Sequence, residues 1–423
     1  MKVRTLLLLL PIFASAQVVF AQQPAAPAQP PGVGAFANIK SPEVAQGGRV
    51  TFRLMAPKAS SVSVICECLT LEEVAKLKQQ LAQLGQRPDT DPEMVRLNRA
   101  IANVRSNQGE RALTKDTTGV WSLTLSSVEP DVYEYHFNVD GFEMLDPRNP
   151  IPKYNSRPNL IESLLEVPGA TPMFYDLRSV PHGKVDIRLY DSKATGTTRR
   201  AFVYTPPGYD KSTAKLPVLY LLHGADGDET VWTSFGRMNL ILDNLIADKK
   251  ASPLVIVTPA AYAYAPTSGV AGDKQRADFE KDLLGDLIPF VQANYRVAAD
   301  REHRALAGLS MGGGLTLAIG PRHLETFSRL AVFSAGAGNN PQESLKDVAA
   351  NAKNVNAQLK LFWMAIGTED PGYAGAKKTS DFLDSANIKH SFKTLPGAHT
   401  WILWRRFLNE VAPQLWGTAS TTN

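Results

Sequence analysis

One stretch constrains the fold more than any other: Arg304-Ala-Leu-Ala-Gly-Leu-Ser310-Met-Gly-Gly-Gly314. Ala305 to Ala307 is a short apolar run that reads as a buried strand. Gly308-Leu309-Ser310-Met311-Gly312 then forces a tight turn, and Leu315 to Ile319 continues with helical apolar spacing. A serine on so sharp a strand-to-helix turn needs small residues two before and two after it, because neighbouring backbone must pass close while the hydroxyl stands clear of the sheet. The helix N-terminus behind it favours negative charge developing alongside. The pattern predicts a nucleophile elbow; a glycine-rich turn without chemistry is the alternative.

Around this turn the chain alternates strand and helix. Strands are expected at Arg199–Tyr204, Val218–Leu222, Leu254–Val257, Leu330–Ser334, Leu359–Ile366 and Ser391–Leu395. Helices are expected at Met238–Ala247, Phe279–Tyr295, after the elbow, near Ala374–Ala386, and from Trp401 onward. Such alternation gives a mostly parallel sheet covered on both faces, an α/β-hydrolase arrangement over residues 180–417.

The first part of the chain has another rhythm. Lys2 and Arg4 precede an apolar run to Phe20 and small residues up to Ala21, which predicts a signal peptide over 1–21 and export. A Pro/Ala-rich linker follows at 22–34. From 35 to 168, short alternating strands such as Arg49–Met55 and Tyr133–Val139, the latter ending at an Asp140-Gly141 turn, predict a small immunoglobulin-like β-sandwich. Within it, residues 70–108 carry a capping box at Thr70-Leu-Glu-Glu73 and an Asp91-Pro92 helix start, which predicts an inserted helical hairpin. Cys66 and Cys68 are the two cysteines; on a strand they share a face in poor geometry for a mutual disulfide, and structural thiols are expected. The net charge of +4, spread over both signs, calls for neither nucleic acid nor an anionic membrane as partner. Beyond the leader no apolar run is long enough for a membrane span.

A serine hydroxyl needs a base in reach, and the base needs an acid to fix its tautomer. In this fold the order along the chain is serine, acid, histidine. His399 stands in Leu395-Pro-Gly-Ala-His-Thr-Trp401, between the last strand and last helix, and is the expected base; His323 and His390 are expected to be structural. Thr368-Glu369-Asp370 follows the only strong strand between serine and histidine, which makes Asp370 the expected acid and Glu369 the fallback. The oxyanion donors are expected from the backbone N–H groups of Met311 and of Ala225, the latter after the strand and turn Val218-Leu-Tyr-Leu-Leu-His-Gly224. His223 itself is expected to brace that turn. Trp232, Tyr262, Tyr264 and Trp401 are candidates for flanking an aromatic ring of the substrate. No metal or organic cofactor is implied.

Two resemblances extend this reading. Val50-Thr-Phe-Arg-Leu-Met-Ala-Pro57, Gly119-Val-Trp-Ser122, Tyr133-Glu-Tyr-His-Phe137, Val139-Asp-Gly141 and Asp146-Pro-Arg-Asn-Pro150 resemble the early-set domain related to family-48 carbohydrate-binding modules. The segments Leu221-Leu-His-Gly224, Pro253-Leu-Val-Ile-Val-Thr-Pro259, Asn294-Tyr-Arg-Val297, Asp300-Arg-Glu-His-Arg-Ala305 and Gly308-Leu-Ser-Met-Gly-Gly-Gly314 resemble the esterase D / feruloyl esterase group of carbohydrate esterase family one. That likeness spans about Gly183 to Trp416. It implies Ser310, Asp370 and His399 as a triad with Ala225 and Met311 as oxyanion donors; the family's Gly-Gly-His is Gly397-Ala398-His399 here. The group includes feruloyl and acetyl xylan esterases, enterochelin esterases, S-formylglutathione hydrolases and mycolyltransferases, and the fold does not decide among them. The expected export and the β-domain of glycan-enzyme type ahead of the catalytic one favour a secreted or periplasmic serine esterase acting on feruloylated or otherwise acylated plant polysaccharide. An acetyl xylan esterase is the alternative and a non-catalytic glycan-binding protein the remoter one. No long insertion separates Ser334 from Asp370, which leaves the cleft open to a polymer.

Overall fold

Strands in the first half alternate so that every second side chain faces inward, and two sheets close over the result. In the computed structural model the described residues are 39–69, 109–154, 161–225, 227–265, 268–338 and 340–417, with isolated positions between 77 and 97. The expected leader and linker lie outside them, as does most of the helical insertion. Contacts divide the chain into Met1–Ile39 and a unit of Lys40–Asn423 that holds every element below.

One sheet runs β1 (Glu43–Ala45), β2 (Arg49–Met55), β6 (Val120–Leu125), β5 (Thr114–Lys115). The other runs β4 (Glu110–Ala112), β3 (Val62–Cys66), β7 (Asp131–Val139), β10 (Ile161–Val167), β9 (Pro152–Tyr154), with β8 (Phe142–Met144) also paired to β7. Val50, Phe52 and Leu54 from β2 meet Tyr133, Tyr135 and Phe137 from β7 in a shared core, with the Phe52 and Tyr135 rings 5.0 Å apart. Asp140 and Gly141, both at positive φ, make the expected turn into β8.

Two features depart from the sequence reading. On β7 the alternate residues Glu134 and His136 read as a solvent face, yet both are buried, as is Val132, which joins the core of the second half of the chain. The polar residues survive there because each has a partner: Lys153 for Glu134, and Glu162 for His136 at 2.8 Å. Cys66 and Cys68, expected as thiols, form a disulfide. β3 ends at Cys66 and the backbone turns helical at Glu67, which draws the two Cα atoms to 5.2 Å, within bridging range.

The second half is one eight-stranded sheet in the order β11 (Lys184–Ser192), β12 (Thr197–Thr205), β14 (Val255–Pro259), β13 (Val218–Leu222), β15 (Arg304–Leu309), β16 (Arg329–Phe333), β17 (Leu361–Gly367), β18 (Ser391–Leu395). β11 and β12 are antiparallel, and the strands from β14 to β18 run parallel. β11, an edge strand leaving Ile187 and Leu189 exposed, lacks the apolar run that reveals the central strands.

Period-two alternation on the buried strands feeds two cores. Val218, Tyr220 and Leu222 face helices α2 (Gly272–Asp282), α3 (Ile288–Asn294), α4 (Met311–Ile319) and α5 (Tyr373–Ser385). Leu219 and Leu221 face α1 (Met238–Ala247) and α6 (Trp401–Trp416). This is the α/β-hydrolase fold, and it brings the ends of β13, β15, β17 and β18 to one rim. Three short helical turns within Pro341–Gln358 make the connection from β16 to β17. Among the described residues no helix is long and apolar enough to cross a membrane.

Candidate active site

Ser310 lies between β15 and α4 with φ 51° and ψ −116°, a conformation that a non-glycine residue adopts only under constraint. The constraint comes from its neighbours. A Cβ on Gly308 would sit 2.4 Å from the Gly312 carbonyl carbon, and one on Gly312 would sit 2.5 Å from the His223 oxygen. Both positions therefore require glycine for packing, and the turn can be as sharp as it is. The Ser310 N–H donates to Phe333 O at 2.8 Å, which anchors the strained residue to the adjacent strand.

The loop after β18 carries His399 to the serine. Its Nε2 lies 2.9 Å from Ser310 Oγ and its Nδ1 2.7 Å from Asp370 Oδ2. A carboxylate accepts, so Nδ1 holds the proton and Nε2 accepts from the serine hydroxyl. Asp370 follows β17 and is buried; its second oxygen accepts from Gly372 N–H at 2.8 Å. The loops that carry Asp370 and His399 are zipped together by Thr368 N–H to Leu395 O and Glu369 N–H to Gly397 O, each 2.9 Å. Gly397 has φ 137°, and a Cβ on Gly367 would sit 2.1 Å from its oxygen. Glu369 gives its backbone N–H to this zipper, and the next residue, Asp370, presents its carboxylate to the imidazole. The histidine ring also packs edge-on against Trp404 at 5.0 Å, and Trp404 in turn donates from Nε1 to Ser334 Oγ at 3.0 Å.

The turn after β13 lies against Ser310, where a Cβ on Gly224 would be 3.3 Å from that of the serine. His223 braces it. Ala261 N–H donates to His223 Nε2 at 2.8 Å, so the ring's Nδ1–H donates to Gly224 O at 2.7 Å. Burial pushes the imidazole down to about 4, which keeps it neutral in this role. Ala225 borders the same cavity as Ser310 and His399, and Met311 opens α4, whose first-turn N–H groups have no intrahelical acceptor.

The four aromatic candidates separate. Trp401 lines the cavity beside Ser310. Trp232 does not: it is fully buried, donates from Nε1 to Leu222 O at 3.0 Å, and stacks edge-on behind Trp401 at 5.0 Å, so it is core. Tyr262 donates to Ala225 O and borders a second cavity of about 670 Å³ that reaches Met311. Tyr264 is turned away, its hydroxyl donating to Asp278 at 2.8 Å. Sequence reasoning missed Trp404, although its spacing of three from Trp401 on one helix placed it on the same face. It also missed Glu67, Glu134 and Lys153, which reach the Ser310 cavity from the β-sandwich. Among the described residues no group of three or more His, Cys, Asp or Glu could hold a metal ion.

Fold and site together define an α/β-hydrolase with a hydrogen-bonded Ser–His–Asp chain at the elbow. The chain belongs to the Esterase family, whose model matches residues 192–415. It is 34% identical over 316 residues to an endo-1,4-beta-xylanase/feruloyl esterase of Xylanibacter ruminicola, covering 73% of this chain and 42% of that one. The chain thus spans less than half of that relative's length. Among solved structures, an enterochelin esterase from Shigella flexneri superposes with a TM-score of 0.62 at 17% identity, over 91% of this chain and 97% of that one. A ferulic acid esterase from Anaeromyces mucronatus does so with 0.50 at 23%, over 57% and 94%. At these identities the two structures speak for the fold.

Proposed function

We propose that the protein is an exported serine esterase that releases ferulate or related hydroxycinnamates from plant cell-wall polysaccharide such as arabinoxylan. The observation that carries the chemistry is the unbroken hydrogen-bonded chain from Ser310 through His399 to Asp370. Ser310 Oγ attacks the ester carbonyl while His399 Nε2 takes its proton, and Asp370 steadies the imidazolium. The Ala225 and Met311 N–H groups hold the oxyanion. The alcohol leaves with the proton from His399, and water, activated by the same nitrogen, then frees the acid and restores Ser310.

The substrate class draws support from the Xylanibacter ruminicola relative, whose name joins xylanase and feruloyl esterase activities. The leader expected at 1–21 supports export. The test is a panel of methyl ferulate, feruloylated arabinoxylan fragments and acetylated xylan. Ferulate release well above acetate release is expected, and acetate release alone would assign the enzyme to acetyl esters.

A further inference from the structure

Beside Ser310 and His399 lies a cavity of about 170 Å³ with walls from both halves of the chain. The hydrolase supplies Ala225, Trp401 and Trp404; the β-sandwich supplies Glu67, Glu134 and Lys153. The esterase mechanism uses none of these three ionisable groups. Bringing them to a largely buried wall carries a desolvation cost that apolar side chains would avoid.

Their geometry is fixed. Glu134 and Lys153 are more than nine-tenths buried and paired Oε1 to Nζ at 2.5 Å. Glu67 accepts the Glu134 N–H at 3.1 Å and stands between Cys66 and Cys68, whose disulfide ties the backbone on either side. Burial, reinforced by the Glu134 charge, pushes the Glu67 carboxyl up to about 8, against the lowering influence of Lys153 and Arg405. Burial pushes the Glu134 carboxyl up as well, against the pull of Lys153. The two neighbouring carboxyls thus hold a proton between them, and this wall offers a carboxyl donor, a carboxylate acceptor and an ammonium.

We propose that the β-sandwich supplies a hydroxyl-recognition subsite of the catalytic cavity, in which Glu67 and the Glu134–Lys153 pair hydrogen-bond a substrate hydroxyl while Ser310 attacks the ester carbonyl. The proposal rests on the esterase reading of Ser310. A hydroxyl both donates and accepts and so satisfies this wall; an ester without one leaves buried polar groups unpaired, which is how such sites discriminate. That hydroxyl belongs either to a phenolic ring on the acid or to the sugar alcohol.

The experiment measures kcat/KM on methyl ferulate, methyl cinnamate and a feruloyl arabinose ester for the wild type, Glu67→Leu and Glu67→Gln, with Ser310→Ala in parallel. Glu67→Leu is expected to cut a preference about tenfold. A phenolic partner shows as lost preference for methyl ferulate over methyl cinnamate, and a sugar partner as lost preference for the arabinose ester over methyl ferulate. Glu67→Gln, which still donates, retains most of either preference. An equal loss on all three esters, or no loss on any, overturns the subsite. Should Glu67→Leu fail to fold, the double variant Glu134→Gln/Lys153→Met is read in the same way. Activity that survives Ser310→Ala overturns the esterase reading, whereas activity that needs Ser310 but ignores Glu67 overturns the subsite alone.

Discussion

Arg405 on α6 and Asp131 at the start of β7 form an ion pair at 2.6 Å with both side chains almost wholly removed from solvent, 274 residues apart in sequence. The same guanidinium donates to Val132 O and Phe235 O and lies over the Tyr175 and Phe235 rings at 5.0 and 5.1 Å. It fastens the β-sandwich to the helix that begins just past His399. Without Arg405 the buried Asp131 keeps only the Tyr175 hydroxyl at 3.1 Å, the Val132 N–H at 2.8 Å and the more distant Arg406 guanidinium at 3.7 Å. Arg405→Met is therefore expected to cost about 3 kcal/mol, the lower end for breaking a buried pair, read from urea unfolding. The double variant Arg405→Met/Asp131→Leu is expected to recover much of that loss, since neither charge then remains. A single variant as stable as the wild type would contradict this role.

Asp370 reaches Ser310 only by way of His399, and in the proposed mechanism it acts on the serine through that ring. Asp370→Asn is expected to lower kcat on methyl ferulate by about 10⁴-fold with little change in KM, because an amide that donates to Nδ1 enforces the wrong tautomer. Glu369→Gln, whose backbone rather than side chain belongs to the zipper, is expected to stay within about threefold of wild type, well short of the cost of losing a triad member. Steady-state kinetics of both variants check the assignment of the acid.

Gly312→Ala places a methyl where the His223 oxygen already lies at 2.5 Å. The loop carrying Ala225 must then move away from Ser310. Because oxyanion donors act only when held in place, kcat is expected to fall by about 10²-fold or more, with a lower Tm. Gly314→Ala, where nothing lies within 4 Å of the added carbon, is the matched control and is expected to be nearly silent.

His223 gives stability a pH dependence with a defined sign. Its folded value of about 4 lies below the ordinary 6.5, so between these limits the unfolded chain binds more protons than the folded one. Stability on this account falls as pH drops from 6.5 to 4, by about 3 kcal/mol in all, and is flat above 6.5. Asp228 and Arg199 are the charged groups that bear on the ring, with opposite signs. Chemical denaturation of wild type and His223→Gln across this range should show the gap between them shift accordingly; parallel curves would contradict the buried neutral ring.

How much of this was legible in the sequence follows from the range of the forces involved. Val218–Leu222, Met238–Ala247 and Ser391–Leu395 announce themselves because burial on a strand or one face of a helix imposes a local period. Ser310, Asp370 and His399 were readable because each follows a strand in the order this fold requires, and the structure joins them by hydrogen bonds. Glu134 and Lys153 were not, since an alternating polar residue on a strand looks the same whether it faces water or another domain. Trp232 was misjudged for a like reason: a tryptophan after the oxyanion loop serves equally as wall or as support for the wall. The Cys66–Cys68 bridge depends on where β3 ends, and boundaries are what local patterns define least well.

The central claim is that Ser310 is the nucleophile of an ester hydrolase. Its most direct test is kcat on methyl ferulate for wild type and Ser310→Ala, with thermal melts confirming that both are folded. Turnover by the wild type and a loss of about 10⁴- to 10⁶-fold in a folded variant is the predicted result. A folded Ser310→Ala protein within tenfold of the wild-type rate would contradict it.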